Sequence, residues 1–411
     1  MLAVVPFLAY VTWTLTIPAS VDAGCTISIR YPGGDLKEPQ PLILTWKNTS
    51  FLYPKNDDEI LRIHTGDTIY LACPGKNNYL NNELWGSEAE VTCVRNKLFR
   101  VSTNDRSQGG LYEFSALVCA KSPTDITRKN LKTTAQGGIC SHTSVDIGFK
   151  VSNTFIPTFE ICRDDSRYMT YFAKSRITSH IGNLQKSYPR PQFKQGTFYK
   201  GISVDNLYQF NTQKEMLTRI LGSSELVEER LQKSVQYLAR GHLVAKTDFV
   251  YGSQQNSTFW FLNVAPQWQT FNNGNWKWLE NSVKDFASKR RLELDVYTGV
   301  HGQMTMEDID GVQKRIYLFP EDEILPVPRY FWKIVYNPLN KQGVAFVGLN
   351  DPFVQSITNN LKICTDITDQ INWVKWSPSN ITAGVSYACT VNELRNRVPE
   401  VPNLRVTGLL K

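Results

Sequence analysis

The sequence lacks the short motifs that mark several large enzyme classes. It contains no G-x-S-x-G elbow, no P-loop, no H-E-x-x-H helix and no G-x-G-x-x-G turn. These absences count against an α/β serine hydrolase, a P-loop nucleotide hydrolase, a zinc peptidase and a dinucleotide-dependent oxidoreductase. Only five histidines occur, and no two of them lie two to five residues apart. A histidine-rich zinc site on one helix is therefore not expected.

Long apolar runs are missing after the first 23 residues. Residues 2–17 are apolar or small without formal charge, and Val21 and Ala23 fit the small-residue pattern before a cleavage site at Gly24. The alternative is a membrane anchor, but polar residues end the run below the roughly 20 residues that a span requires. We therefore expect a signal peptide over 1–23 and a secreted, extracellular, soluble protein.

The cysteine pattern fits that compartment. All eight cysteines follow residue 23, and an even number in a secreted chain predicts four disulfide bonds. Cys364 and Cys389 lie far from the others along the chain, so we expect them to pair, whereas the connectivity of the other six stays open. No C-x-x-C pair occurs, which counts against a zinc ribbon. Sequons at Asn48, Asn256 and Asn380 fit a glycoprotein.

Two segments of different character indicate two domains. Between 24 and 150, short β-type runs alternate with Gly and Asn clusters and include five of the eight cysteines, which predicts a small β-rich domain stapled by disulfides. Between 151 and 411 the fold is expected to be α+β, because helical and strand-like patterns are mixed there. Apolar residues recur at helical spacing over 212–236, and strand-like runs occupy 258–264, 292–300, 315–319 and 330–336.

The charge balance favours a polyanionic partner. The formal net charge is +7, and most of the basic excess lies after residue 150. Contacts to phosphate require Lys and Arg, so this charge suits nucleic acid. A mildly basic secreted protein without such a partner fits the charge equally well.

The residues best suited to catalysis lie between Arg240 and Glu280. The Asn-Asn-Gly-Asn group at 272–275 predicts a turn before a helix, so Asn272 is expected at or just before the helix start. Glu280 follows about two helical turns later, close to the same face. One amide oxygen and one carboxylate suit a hydrated hard cation, and a neutral His242 beside them would accept a proton from water. Taken singly, each of these residues also has an ordinary structural explanation.

The order and spacing of three motifs resemble the active-site segment of the DNA/RNA non-specific endonucleases, which share a ββα-metal core. Their pattern is Arg-Gly-His, then Asn-x-x-Pro-Gln, then Asn-x-Gly-x-Trp-x-x-Leu-Glu. This chain has the three motifs at 240–242, 263–267 and 272–280, and a weaker likeness continues through 327–333. The two-part layout is most similar to secreted arthropod members, including insect gut double-stranded ribonucleases, for which the lumen of the digestive tract is the expected location.

The resemblance implies a metal-dependent hydrolysis of phosphodiester bonds. His242 would be the general base toward water, and Asn272 would be the direct protein ligand of Mg²⁺, with Mn²⁺ as the alternative ion. Glu280 would orient the metal-bound waters. The implied products carry 5′-phosphate and 3′-hydroxyl ends.

The same resemblance implies supporting roles for other residues. Arg240 would clamp the phosphate, Asn263 would support the metal–water network, and Arg190 is a candidate second phosphate clamp whose alternative is a solvated loop arginine. Many relatives have Asp directly before Arg-Gly-His, whereas this chain has Ala239. The acidic partner expected at that position is therefore missing.

Several functional alternatives stay open at this stage. Double-stranded RNA, single-stranded RNA and DNA are all candidate substrates, since no motif selects among them and a preference for duplex RNA is analogy. The chain could also be a catalytically weakened nucleic-acid-binding glycoprotein of the same fold, a secreted structural glycoprotein, or a phosphodiesterase for small substrates. The N-terminal domain could be a pro-segment, an inhibitory cover or a substrate-binding extension.

Overall fold

The computed structural model describes residues 24–45, 50–81, 83–102, 109–130 and 140–411. The predicted signal peptide over 1–23 and the sequon at Asn48 lie outside the described residues. Within the described ranges, no helix combines the length and the apolar character that a membrane crossing demands.

The N-terminal part is built from short antiparallel strands. Five of them form a sheet in the order β2-β4-β5-β6-β7, and β1 pairs with β3. The disulfides Cys25–Cys93 and Cys73–Cys119 tie this part together. The strands are β1 Cys25–Ser28, β2 Leu42–Leu44, β3 Ile60–Ile63, β4 Thr68–Ala72, β5 Glu88–Arg95, β6 Leu98–Ser102 and β7 Gly110–Glu113.

The rest of the chain is organised around a nine-stranded sheet, so the predicted α+β class is confirmed. The strands of this part are β8 Ile126–Asn130, β9 Thr143–Val151, β10 Thr154–Asp164, β11 Met169–Ile177, β12 Leu238–His242, β13 Val264–Trp268, β14 Leu294–His301, β15 Thr305–Glu307, β16 Gln313–Arg315, β17 Tyr317–Phe319, β18 Ile324–Pro326, β19 Tyr330–Asn337, β20 Gln342–Leu349, β21 Ser386–Cys389 and β22 Gly408–Leu409.

The large sheet is antiparallel except at one edge. Its order is β21-β20-β19-β14-β11-β10-β9-β8, and β22 adds a parallel pairing to β20. Strands such as β19 and β20 are apolar and buried along nearly their whole length, as expected for strands covered on both faces. The pairs β12–β13, β15–β16 and β17–β18 form separate two-stranded ribbons.

The N-terminal edge of this sheet begins earlier than residue 150. Both β8 and β9 belong to the large sheet, and β9 forms a hairpin with β10. A boundary at 150 therefore falls inside that hairpin, which the Cys140–Cys162 disulfide also bridges. The division into domains 24–150 and 151–411 stays a prediction. The expected Cys364–Cys389 pair is confirmed.

The helices are short, with one longer exception near the candidate site. They are α1 Val204–Leu207, α2 Phe210–Leu221, α3 Ser224–Arg230, α4 Gly252–Asn256, α5 Gln269–Phe271, α6 Lys277–Arg290 and α7 Val391–Arg397. The helical pattern over 212–236 corresponds to two helices, because Gly222 ends α2 in the left-handed region (φ 73°) and the Ser223 hydroxyl caps α3. The strand expected over 258–264 was wrong in its start, since β13 begins only at Val264 after a 3₁₀ turn.

An aromatic cluster fixes the start of α6 against the large sheet. Phe271, Trp276 and Phe331 of β19 pack edge to face, with ring centroids 5.5 to 5.8 Å apart. All three side chains are almost fully buried. Such pairs contribute roughly 0.5–1.5 kcal/mol each beyond their buried area, so the cluster gives α6 a rigid origin.

Candidate active site

Arg240 and His242 lie on a short antiparallel hairpin beside the large sheet. In the pairing of β12 with β13, Arg240 is opposite Pro266 and His242 is opposite Val264. Residues two apart on a strand point to the same side, so both side chains face one cavity. That cavity has a volume of about 300 Å³.

Gly241 explains why two of the sequence motifs occur together. A Cβ at Gly241 would lie 2.4 Å from Gln267 Oε1 and 2.5 Å from Gln267 Cβ. Gln267 is fully buried, so it has little room to move away. The glycine of Arg-Gly-His therefore makes space for the glutamine of Asn-x-x-Pro-Gln on the neighbouring strand.

The cavity wall contains four of the six site residues predicted from the sequence. It is formed by Arg190, Phe193, Tyr208, Tyr237, Leu238, Ala239, Arg240, His242, Gln269, Asn272 and Asn273. Residues from three distant parts of the chain, around 190, 240 and 270, thus meet at one place. The other two predicted residues, Asn263 and Glu280, are not among the residues of this wall.

The His242 ring is enclosed by aromatic side chains. Its centroid lies 5.3 Å from that of Phe193 and 5.1 Å from that of Phe259. Within the described part of the chain, His242 Nε2 is buried and has no hydrogen-bond partner. A buried nitrogen without a partner is costly for stability, so its retention points to a chemical role.

The protonation state of His242 follows from this environment. Burial is the largest cause that lowers the pKa of His242 to about 3, and the positive charge of Arg190 adds to it. A hydrogen bond with the Arg240 backbone acts in the opposite direction, while Lys246 lowers the pKa further. The imidazole is therefore neutral near neutral pH and can accept a proton.

Arg240 is held by one carboxylate and three aromatic rings. Its Nη2 donates to Asp205 Oδ1 at 2.7 Å. The guanidinium carbon lies 5.4 to 5.8 Å from the ring centroids of Phe193, Tyr208 and Phe261. These contacts orient the guanidinium, which matters because its planar fork recognises phosphate by geometry as well as charge.

Asn272 begins a five-residue π-turn, Asn272–Trp276, between α5 and α6. The expected N-cap is not found, because Asn272 itself has helical φ and ψ (−56° and −44°) and no side-chain oxygen caps α6. Gly274 leaves the helical path, and a Cβ there would lie 2.5 Å from the Ala383 carbonyl oxygen. Asn272 Nδ2 donates to Gln269 Oε1 at 3.2 Å, so the amide oxygen is not engaged by this bond.

Glu280 is partly exposed and belongs to a group of charges that we call the charge cluster: Asp248, Glu280, Lys284 and Lys333, of which the other three are buried. Lys284 follows Glu280 by one turn of α6, and its Nζ lies 3.8 Å from Asp248 Oδ1. Lys333 comes from β19 and donates to Thr298 Oγ1 at 2.5 Å. Two acids and two bases therefore form one cluster, in which only Glu280 is partly exposed.

The cluster controls the charge of Glu280. Burial raises the pKa of Glu280 to about 7, while the charges of Lys333 and Lys284 lower it and that of Asp248 raises it. Burial in turn lowers the pKa of Lys333, opposed by Asp248 and Glu280. The ionisation of Glu280 near neutral pH thus depends on these neighbours.

Arg190 is an exposed side chain on the cavity wall. Its guanidinium carbon lies 6.0 Å from the centroid of the Phe259 ring. Its charge lowers the pKa of both His242 and Glu280. Arg190 and Arg240 therefore present two positive charges to the same cavity.

Asn263 is fully buried and acts on the backbone. Its Oδ1 accepts from Val244 N at 3.0 Å, and its Nδ2 donates to the carbonyls of Val244 and Thr258 at 2.9 and 3.0 Å. Both amide hydrogens are consequently used by the main chain. Asn263 holds the segment just after His242.

Comparisons with known proteins identify the family of this chain. A family model described as DNA/RNA non-specific endonuclease matches residues 140–394.

The chain belongs to the DNA/RNA non-specific endonuclease family.

Relatives of this endonuclease occur among insect salivary proteins. A salivary endonuclease of Lutzomyia longipalpis is 25% identical over 96% of this chain and 89% of its own length. The salivary protein Tsal1 of Glossina morsitans morsitans is 25% identical over 98% of both chains. Among solved structures, a complex of EndoG with EndoGI aligns over 61% of this chain and 87% of its own at 17% identity, with a TM-score of 0.37. The predicted family and nuclease activity are confirmed by the family match and the full-length relatives.

The donor set of this endonuclease fits a strongly hydrated cation. In the described ranges, no group of three or more His, Cys, Asp or Glu side chains is arranged to hold a metal. Mg²⁺ keeps several waters and needs few protein oxygens, so such a group is not required. The Asn272 amide oxygen could supply one oxygen ligand, and the Glu280 carboxylate one acceptor for bound water.

Several residues of the endonuclease site were not predicted from the sequence. Phe193, Tyr208 and Asp205 contact Arg240 from segments with no recognisable motif. Two members of the charge cluster did carry a signal. Lys284 follows Glu280 at helical spacing, and Lys333 is a charge inside the apolar strand 330–336.

Proposed function

We propose that this endonuclease hydrolyses the phosphodiester bonds of RNA, double-stranded RNA included, and of DNA, with little sequence specificity. The observation that carries the proposal is His242 Nε2, which is buried, unpartnered within the described residues and adjacent to a cavity with two arginines. A neutral histidine and two fixed cations are suited to activating water against a phosphate.

Each side chain has a role in this proposal. Arg240 and Arg190 bind the phosphate, and His242 Nε2 takes the proton of the attacking water. Asn272 would hold Mg²⁺, or Mn²⁺, through its amide oxygen, and Glu280 would accept hydrogen bonds from the waters of the ion. When bound, the ion would stabilise the charge on the scissile phosphate and the leaving 3′ oxygen, giving 5′-phosphate products.

We assign Asn263 an indirect role. Its Oδ1 accepts from Val244 N and both of its amide hydrogens bond to main-chain carbonyls, so its hydrogen bonds are made to the main chain. It fixes the backbone of Val244, two residues after His242. The sequence-based role in the metal–water network is thereby replaced by positioning of the general base.

We propose secretion as the destination of the chain. The eight cysteines form four disulfides, which are typical of an oxidising compartment. Relatives are named as salivary proteins, which supports the same location. Of the two described sequon asparagines, Asn380 is exposed whereas Asn256 Oδ1 is buried, so Asn380 is the better glycan acceptor.

A digestion experiment tests the function. Purified protein would be incubated with plasmid DNA, single-stranded RNA and double-stranded RNA in Mg²⁺, in Mn²⁺ and in EDTA, and the ends would be mapped. We expect cleavage of all three polymers with either ion, none in EDTA, and 5′-phosphate ends. Binding without cleavage would favour the weakened nucleic-acid-binding protein. Hydrolysis of a small nucleotide ester but of no polymer would favour a phosphodiesterase for small substrates.

A further inference from the structure

The segment 185–194, which we call the strap, carries Arg190 and Phe193 to the cavity wall. The strap contains neither a helix nor a ladder strand, and a single bridge joins Lys194 to Trp260. A segment without regular backbone pairing depends on its side-chain contacts for a defined path. The position of Arg190 is therefore set by whatever holds the strap.

The first anchor of the strap is Gln185. Its Nε2 donates to the Ile29 carbonyl oxygen at 2.7 Å, and its Oε1 accepts from Gly252 N at 2.7 Å. Gln185 is almost completely buried, so these bonds are not in competition with water. The side chain thus joins the N-terminal domain to the start of α4.

The middle anchor is Tyr188, two residues before Arg190. Its hydroxyl donates to Glu38 Oε2 at 3.2 Å, and its ring centroid lies 4.7 Å from that of Tyr31. On the other side, the ring lies so close to Gly252 that a Cβ there would be 2.3 Å from it. The ring is thus held between the N-terminal domain and α4.

The last anchor is Lys194, four residues after Arg190. Its Nζ donates to both carboxylate oxygens of Asp125, at 2.5 and 2.6 Å, and Trp260 Nε1 donates to the same carboxylate at 2.5 Å. Asp125 is only 5% exposed, and these three bonds pair the buried carboxylate with a cation and an indole N–H. It directly precedes β8.

The N-terminal domain does not line the cavity itself. In the part of the chain that the structure describes, no residue before Arg190 belongs to the cavity wall. An inhibitory cover would place its own side chains over the cavity, whereas the contacts of the N-terminal domain reach only the strap. The arrangement is that of a support.

We propose that the N-terminal domain is a permanent part of the active site, in which Tyr31, Glu38 and Asp125 are positioning residues that hold Arg190 against the substrate phosphate. This inference rests on the proposed function, since it gives Arg190 the role of a phosphate clamp. It also excludes a pro-segment that is removed on activation. Displacement of a clamp by about 1 Å can lower the rate by up to about 100-fold.

A double-mutant cycle tests the inference. The double substitution Tyr31→Ala/Glu38→Ala would be made in two backgrounds, the wild type with Arg190 and the Arg190→Ala variant without it. The values of kcat and KM on duplex DNA would be measured for all four proteins. We expect a loss of roughly tenfold or more in kcat/KM when Arg190 is present, but less than about twofold when it is absent, because coupled residues are not additive. Equal losses in both backgrounds would mean a general structural effect and would overturn the inference.

The chain offers a matched control at the same domain boundary. Asp57 pairs with Arg291 at 2.8 Å, also between the N-terminal domain and the rest of the chain, and is a partner of none of the three strap anchors. Asp57→Asn should leave kcat and KM unchanged. If Tyr31→Ala/Glu38→Ala does not fold, Tyr188→Phe removes only the hydroxyl bond to Glu38 and should show a smaller loss with the same dependence on Arg190.

Two further readouts separate the inference from the proposed function. Displacement of Arg190 should raise the pKa of His242 and of Glu280. The acid limb of the pH–rate profile should then move to higher pH, which a merely structural loss would not cause. Hydrogen exchange of the strap needs no activity: it should become faster in Tyr31→Ala/Glu38→Ala. An exchange rate unchanged in this variant would overturn the inference. If the variant exchanges faster but the wild type has no nuclease activity, only the proposed nuclease function is overturned.

Discussion

Arg240 Nη2 lies 2.7 Å from Asp205 Oδ1, so the proposed phosphate clamp has an acidic partner in α1. The position just before the Arg-Gly-His motif holds Ala239, which is buried in β12 opposite Gln267 and carries no charge. Arg240 thus has a carboxylate partner from 35 residues earlier in the chain, although position 239 supplies none.

The pair predicts different sizes of effect for its two members. Asp205 is 60% exposed and Arg240 28% exposed, so the pair contributes at most about 1 kcal/mol. Asp205→Asn should therefore lower kcat/KM by no more than about fivefold. Arg240→Ala should lower it by roughly 100- to 1,000-fold, as for loss of one preorganised donor to a charged transition state. Comparable effects of the two substitutions in steady-state kinetics would contradict Arg240 as the clamp.

His242→Ala should lower kcat by about 100-fold or more, because a general base contributes roughly that much. The substitution leaves a small space at the cavity wall and should not unfold the protein, which circular dichroism and a thermal melt would verify. His64 is exposed in the N-terminal domain, so His64→Ala is the matched control and should be fully active. Near-wild-type turnover of His242→Ala would remove His242 from the mechanism.

Glu280→Gln should raise the Mg²⁺ concentration needed for half-maximal activity. The amide can donate where the carboxylate accepted, so it would orient metal-bound water poorly, and such partners typically affect metal affinity by about 10- to 100-fold. Asp285 lies on the same helix with 56% of its side chain exposed, so Asp285→Asn should leave the titration unchanged. An identical Mg²⁺ curve for Glu280→Gln would sink the role assigned to Glu280.

The charge cluster predicts the direction of a pH shift. Glu280 has a raised pKa of about 7, so it is protonated below and ionised above this value, and activity should fall as pH decreases through this region. Lys333 lowers the pKa of Glu280, so Lys333→Met should raise it and move the acid limb of the pH–rate profile to higher pH. The activity should recover at alkaline pH.

A control distinguishes this electrostatic effect from a change in fold. Lys289 is 70% exposed at the end of α6, so Lys289→Met removes the same charge from a position in contact with solvent. Its pH–rate profile should match that of the wild type. A Lys333→Met profile that is lowered equally at every pH would contradict the control of Glu280 by the cluster.

The sequence predicted the catalytic segment better than its surroundings. Residues 240–280 are close in sequence and carry ordered motifs, so His242, Arg240 and Asn272 could be named together in advance. The predicted local geometry of Asn272 was wrong, because the Ala383 backbone approaches Gly274 closely and the entry to the helix is a π-turn. The role that we propose for Asn263 also differs from the sequence prediction, since its bonds depend on a turn at Thr258 that has no motif.

By itself, the sequence determined the family, the place of an arginine two residues before the candidate general base, and that eight cysteines pair. These properties depend on residue type and short spacing, which survive in a linear pattern. Only the tertiary structure decided the partners across long separations: Asp205 beside Arg240, Lys333 near Glu280, and Glu38 against Tyr188. The reason is physical, because burial and chain crossing set those contacts and no local propensity encodes them. The acidic partner of Arg240 was the clearest case, absent from the motif and present in the fold.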